Sequence, residues 1–235
     1  MTRDSCDERR NMLDNLNILL GVSGGIAAYK AVDLASSLVA AGARVSTVMT
    51  EAACQLVGPK SFEAVTCSSV YTSLFSSCVM RDASCEDNTQ YAIRSTQYGL
   101  HQKPGHVNLA DWADLVVVAP ATADIVGKIA NGICDDLLST TLCVCWPLIK
   151  SGAALLAPAM NNNMWDNPAV QRNVKQVKQM GFKLIGPVKG RLACGSEAIG
   201  RMAEPEDIFK AIEKIASKTK KHETRNLKSE TNSKS

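Results

Sequence analysis

The sequence predicts a doubly wound α/β fold: one domain with a mostly parallel sheet and helices on both faces. Three observations carry this. Strand-like and helix-like segments alternate along the chain. The strand-like segments are continuous apolar runs, as strands covered on both faces must be. Three of them end in short turns or caps of small residues that lead into helices. The 235 residues are enough to bury a core without a disulfide or a structural metal.

Each element has a local reason. Asn17–Val22 (NILLGV) reads as a short buried strand. Residues 26–41 read as a helix, with Ile26, Tyr29, Ala31, Leu34, Leu38 and Val39 as a broad apolar stripe and Gly42 as the stop. A second strand is expected over 43–49, and a short helix over 51–57 that ends at Gly58-Pro59. Residues 114–119 (DLVVVA) form a strand buried on both faces, and 123–130 and 135–146 read as helices. A strand over 153–157, a helix over 168–180, a strand over 182–185 and an amphipathic helix over 206–217 complete the domain, residues 17–216. Residues 1–16 are polar and expected to be flexible. Residues 76–105 have no period and are expected to form a long surface loop or insertion, and 217–235 a disordered tail.

Charge excludes one function class. The net charge is +3, but the last 19 residues hold six Lys or Arg against two Glu. The other 216 hold 20 basic and 21 acidic side chains, so the folded body is neutral and is not expected to bind nucleic acid. No apolar run approaches 18 residues, so no membrane span is expected. Nine cysteines, an odd number, follow a polar start without a hydrophobic leader, which points to free thiols in a reducing cytoplasm. There is no C-x-x-C pair and no ligand spacing among His101, His106 and His222, so no metal site is expected.

The turn Gly21-Val22-Ser23-Gly24-Gly25-Ile26 joins the first strand to the first helix, with Ser23 or Gly24 as N-cap. Glycines permit close backbone approach, and a helix N-terminus offers free N–H groups. The spacing matches neither a dinucleotide fingerprint nor a P-loop, so a single phosphate, as in a flavin mononucleotide, fits better. The alternative is an ordinary tight turn. Thr50 and the turn Ala119-Pro120-Ala121-Thr122-Ala123-Asp124 stand at the same carboxyl edge, and together the three describe a crevice.

His106 precedes the central strand. It is either a structural histidine or a group for proton transfer near neutrality. Pro158-Ala159-Met160-Asn161-Asn162-Asn163-Met164-Trp165 follows a buried strand. Its amides can donate to a carboxylate and its Met and Trp can cover an apolar group, or it is an Asn-rich turn. The stretch 190–202, with Gly190, Gly195 and Gly200, suggests a mobile lid that carries Cys194, a candidate proton donor or simply a small loop residue.

These residues, with Asn131-Gly132-Ile133-Cys134-Asp135-Asp136-Leu137-Leu138 and Leu192-Ala193-Cys194-Gly195, together resemble the homo-oligomeric flavin-containing cysteine decarboxylases, over residues 17 to about 216. Within that family the match is to the branch that acts on phosphopantothenoylcysteine. The resemblance implies a Rossmann-like flavoprotein that converts 4′-phosphopantothenoylcysteine to 4′-phosphopantetheine in coenzyme A biosynthesis. The implied chemistry is redox-assisted: the cysteine moiety is oxidised to a thioaldehyde, CO2 leaves as charge delocalises into an enethiolate, and the electrons return with no net oxidation.

By the same resemblance His106 is the base and Cys194 the acid on the lid. Asn161 holds the substrate carboxylate, with Met164, Ala159 and Met160 around the substrate. Ser23, Gly24, Gly25, Ile26, Thr50 and the turn Thr122, Ala123, Asp124, Ile125 hold the FMN. A homo-oligomer, trimer or dodecamer, is implied, with His106 and the FMN from different chains. Many bacterial relatives continue into a phosphopantothenate–cysteine ligase domain. Here a basic tail stands at that place, so ligase activity is expected from a separate partner. Two other readings are an FMN-binding regulatory subunit of a phosphatase, and a decarboxylase of a peptide C-terminal cysteine.

Overall fold

The computed structural model describes residues 13–74, 105–191 and 197–232. Six strands form one parallel sheet: β1 (Asn17–Val22), β2 (Arg44–Met49), β3 (Val70–Tyr71), β4 (Leu115–Ala121), β5 (Ala154–Pro158) and β6 (Lys183–Leu184), in the order β3-β2-β1-β4-β5-β6. The chain starts in the middle, winds outward through β2 and β3, then returns to β4 beside β1 and winds the other way. The strand order therefore reverses between β1 and β4, and the crevice there is where such sheets bind ligands.

Residue alternation assigns each strand residue to a face. Ile18, Leu20, Val22, Val117 and Ala119 pack with Leu34 and Leu38 of helix α1 (Ala28–Ala40), Phe62 of α3 (Pro59–Thr66), and Ile208 and Ile212 of the last helix, α10 (Pro205–Asn232). Leu19, Val116, Val118 and Leu156 pack on the other face. Their partners are Leu109 of α4 (Gly105–Trp112), Ile125 of α5 (Ala123–Asn131), Leu138 of α6 (Leu137–Val144) and Val174 of α9 (Pro168–Met180). Each apolar face buried this way contributes about 25 cal/mol per Å² removed from water. Between these lie α2 (Glu51–Leu56), α7 (Trp146–Ser151) and the one-turn α8 (Asn162–Trp165). A separate antiparallel pair joins β7 (Val188–Arg191) to β8 (Glu197–Arg201).

Several expectations are corrected. Helix α1 begins at Ala28, and Ile26 and Tyr29, counted into its core stripe, are 65% and 57% exposed. The helix expected over 135–146 is two, because the chain turns at Cys145 and Pro147 opens α7. Helices α3 and α4 and strand β3 were not anticipated. Leu13 and Leu16, placed in a flexible 1–16, are buried, and Leu13 N–H donates to Ala41 O at 3.3 Å. Residues 1–12 and 75–104 lie outside the described residues, whereas Gly105, taken as the end of the insertion, starts α4. The tail expected to be disordered from 217 instead continues α10 to Asn232, and Ala216 is the last buried residue among the side chains described on that helix. Among the described residues no helix is long and apolar enough to cross a membrane, and no cluster of three metal-ligating side chains occurs.

Candidate active site

A cavity of about 1430 Å³ opens at the carboxyl edge of the sheet, over the β1/β4 reversal. One wall is made of the turns after β1, β2 and β4. Ser23 is buried and binds two of these turns together. Its hydroxyl donates to Pro120 O at 2.8 Å and accepts from Thr122 N–H at 3.0 Å. It is therefore not the N-cap of α1, which starts after Ala27 without a side-chain cap. Thr122 caps α5, accepting from Ile125 N–H at 3.5 Å, and Thr50 caps α2, accepting from Ala53 N–H at 3.2 Å. Gly24 is required by close approach: a Cβ there would stand 2.4 Å from Ala52 Cβ.

The opposite wall belongs to the segment after β5. Asn161 caps α8, its Oδ1 accepting from Asn163 N–H at 2.8 Å. Met160 N–H donates to Gly200 O at 2.9 Å, which ties this loop to the β7–β8 pair. Met164 stands 47% exposed. Two lining side chains meet at Glu204, which accepts from Lys30 Nζ at 2.7 Å and from Arg201 Nη2, joining α1, β8 and the start of α10. The hydrogen bond from Lys30 is the main reason the Glu204 carboxyl sits below its usual pKa range.

A third side carries an ion cluster. Lys128 Nζ lies 2.9 Å from Asp135 Oδ1, 2.9 Å from Asp136 Oδ2 and 3.3 Å from Asp124 Oδ2. Asp136 also forms a capping box with Ser139 at the start of α6. Burial works against the Lys128 charge, yet hydrogen bonds to Asp136 and Asp135 hold its pKa above the ordinary lysine value. The bond to Lys128 in turn lowers the Asp135 carboxyl.

Of the residues singled out from sequence, Gly24, Gly25, Ile26, Thr50, Thr122, Asp124, Ala159, Met160, Asn161 and Met164 line this cavity. Four of the described ones do not. Ser23 is buried behind the turns, Ile125 packs in the core, and Ala123 is the first residue of α5 outside the lining. His106, in the first turn of α4, does not line the cavity of its own chain, and its Nδ1 is buried without a hydrogen-bond partner among the described residues. Cys194 lies outside the described residues. Sequence reasoning missed Lys30, Tyr29, Lys128, Arg201 and Met202, and gave no role to Asp135 and Asp136. A lysine at the fourth apolar-flanked position of Ala27-Ala28-Tyr29-Lys30 was the available signal for one of them.

The residues fit a phosphorylated, partly apolar ligand. The N-terminus of α5 opens at the cavity with N–H groups that the helix leaves unsatisfied. Ile26, Tyr29, Met160, Met164 and Met202 supply apolar surface. The volume exceeds the roughly 300–1,000 Å³ of a pocket for one small ligand, which leaves room for a cofactor and a substrate side by side.

Comparison with known proteins gives a consistent picture. The model of the family described as Flavoprotein matches residues 7–217. The coenzyme A biosynthesis bifunctional protein CoaBC of Bacillus subtilis (strain 168) is 46% identical over 203 residues, which cover 86% of this chain and 44% of that protein. The chain thus spans under half the length of the curated relatives it matches. Among solved structures, a PPC decarboxylase mutant complexed with pantothenoylaminoethenethiol superposes with a TM-score of 0.66 at 31% identity, covering 84% of this chain and 96% of that one. The FMN-dependent cysteine decarboxylase SpaF superposes with a TM-score of 0.65 at 28% identity, covering 88% and 98%.

Proposed function

Because the chain belongs to the Flavoprotein family, we propose that it binds FMN and decarboxylates 4′-phosphopantothenoylcysteine to 4′-phosphopantetheine, a step of coenzyme A biosynthesis. The observation that carries this reading is one cavity shared by the glycine and threonine turns and the Asn161–Met164 segment. When bound, FMN supplies a reversible two-electron sink for the substrate's cysteine moiety. The FMN is held by Gly24, Gly25, Ile26, Thr50, Thr122 and Asp124, with Ser23 fixing the turns from behind and Ala123 and Ile125 offering backbone N–H groups at the start of α5.

Substrate lies against the other wall. The Asn161 carboxamide holds the cysteinyl carboxylate, with Ala159 and Met160 beneath and Met164 covering the thiol side. Holding that carboxylate sets the substrate carbon at a fixed distance from the reacting face, which is where orientation contributes most to rate. His106 takes the proton in the oxidation half, and Cys194 protonates the enethiolate. His106 acts on the cavity of a neighbouring copy in a homo-oligomer, trimer or dodecamer. Its place outside the lining of its own cavity, and its unpartnered Nδ1, support that arrangement. The protein works in the cytoplasm, and a phosphopantothenate–cysteine ligation supplies its substrate.

The test is the absorption spectrum of the purified protein, then CO2 release from phosphopantothenoylcysteine in competition with a peptide ending in cysteine. Flavin absorbance with release from the phosphopantothenoyl substrate is the expected result. Bound flavin with no turnover would leave a binding protein, such as a phosphatase regulatory subunit. Turnover of the peptide alone would move the substrate class. In His106→Asn, flavin absorbance is retained and turnover falls by about 10²–10⁴, the usual contribution of a positioned base.

A further inference from the structure

Cys134 and Cys143 play no part in the chemistry above, yet they form a pair at the junction of the α5–α6 connection with α6. The Cys134 Sγ lies 3.7 Å from Gly132 O and 4.0 Å from Ser139 O. Its backbone is held there by Thr140, whose hydroxyl donates to Cys134 O at 3.2 Å. Ser139 and Cys143 are four apart on α6, so they share a face, and a helical side chain leans back toward the preceding turn. The Cys143 thiol therefore leans toward the turn where Cys134 sits, whose Sγ already reaches the Ser139 carbonyl one helical turn before Cys143. Both residues are exposed, whereas Cys145, two residues on, is buried.

We propose that Cys134 and Cys143 are a reversible thiol-modification site that closes to an intramolecular disulfide on meeting a low-molecular-weight disulfide of the glutathione class. Burial raises the Cys134 thiol above its ordinary pKa, and Cys143 and the carboxylates of Asp135 and Asp136 add to this. We assign the attack on the oxidant to Cys143 and the resolving step to Cys134, whose neighbouring Asp135 and Asp136 carboxylates disfavour its thiolate. In the first exchange a Cys143–SR bond forms and one RSH leaves. In the second, Cys134 attacks the Cys143 sulfur and the other RSH leaves. The protein loses two electrons and two protons, and the oxidant RSSR is reduced to two RSH. The ring so formed encloses Asp135 and Asp136, which hold Lys128 at the cavity rim, so oxidation fixes one side of the cavity. This inference does not depend on the reaction catalysed.

The experiment treats the full chain with oxidised glutathione and digests it, without reduction, on the N-terminal side of aspartate. Cleavage before Asp135 and Asp136 puts the two cysteines on different peptides unless they are linked. The expected result is a linked Cys134–Cys143 peptide pair that separates on adding dithiothreitol, with a rise of several degrees in the melting temperature of the oxidised protein. Cys145→Ser keeps both. Cys134→Ser accumulates a glutathione adduct on Cys143, and Cys143→Ser loses both the link and the rise. Three results would each overturn the proposal: a lasting glutathione adduct in the wild-type chain, both thiols left unmodified, or an unchanged melting rise in Cys143→Ser.

Discussion

The two walls of the cavity are built in different ways. The wall made by the turns after β1, β2 and β4 is tied from behind: Ser23 is 1% exposed and bonds to both Pro120 and Thr122, and Gly24 packs against Ala52 without room for a methyl group. The wall after β5 is held by its own caps and by two backbone bonds, from Ala159 to Ala121 and from Met160 to Gly200. Among the described residues no side chain locks it from behind as Ser23 does, and Met164 stands out into the opening. In the proposed function the first wall seats the FMN and the second the substrate, and mutations should separate the two.

The largest effect tests the open wall. Asn161→Asp places a carboxylate against the substrate's own, and turnover is expected to fall about 10²-fold or more, the scale of losing orientation at the reacting centre. Flavin absorbance and melting temperature should change little, as for surface substitutions generally, which stay within about 0.5 kcal/mol. A matching loss of flavin would erase the distinction between the walls. On the tied wall, Gly24→Ala is expected to destabilise by about 1–3 kcal/mol, because Ala52 is too close to yield. Denaturant unfolding and flavin content measure this, and Ala52→Gly in the same chain should restore part of the loss. Full stability in Gly24→Ala would show that the turn has slack.

Ser23→Ala is the finer test. It leaves Thr122 N–H without its buried acceptor and Pro120 O with only the Ser23 N–H, a loss of about 1–3 kcal/mol that should lower flavin affinity while leaving turnover of the loaded enzyme near normal. The smallest effect concerns acid. Asp135 and Glu204 have pKa values lowered in the fold, so their contribution is present above the ordinary carboxylate pKa of about 4 and is lost as pH falls through the lowered values. Melting temperature should hold from pH 7 to about 5 and decline below about 4. In Lys128→Met the Asp135 share of that decline disappears, and an unchanged acid slope would remove Lys128 from the account.

What could be read from sequence was what lies contiguously along it. The turn at Gly24-Gly25, the caps Thr50 and Thr122 and the loop through Asn161 each declare themselves by local composition, and all of them reach the cavity. Ile26 and Tyr29 misled because an apolar side chain that faces a cavity has the same helical period as one that faces the core. The break at Cys145 was hidden because apolar residues continue through it and Pro147 is easily accepted in the first turn of a helix. Helix α3 carries Lys60, Ser61 and Glu63 among few buried residues, too weak a stripe to notice. Lys30 and Arg201 line the cavity from distant parts of the chain and meet at Glu204, a contact no window along the sequence shows.

That contact spans 174 residues, and Ser23 meets Pro120 across 97. Contacts so far apart close the largest loops in the chain, and topologies rich in them assemble slowly. The central strands β1 and β4 pair across the same 97 residues as Ser23 and Pro120, so the tied wall comes together with the sheet, whereas the Glu204–Lys30 contact closes a much longer loop. The strands can pair while the pocket is still open at Glu204, so a ligand that bridges the two walls would act during assembly as well as after it, by capturing the chain once its distant parts first meet.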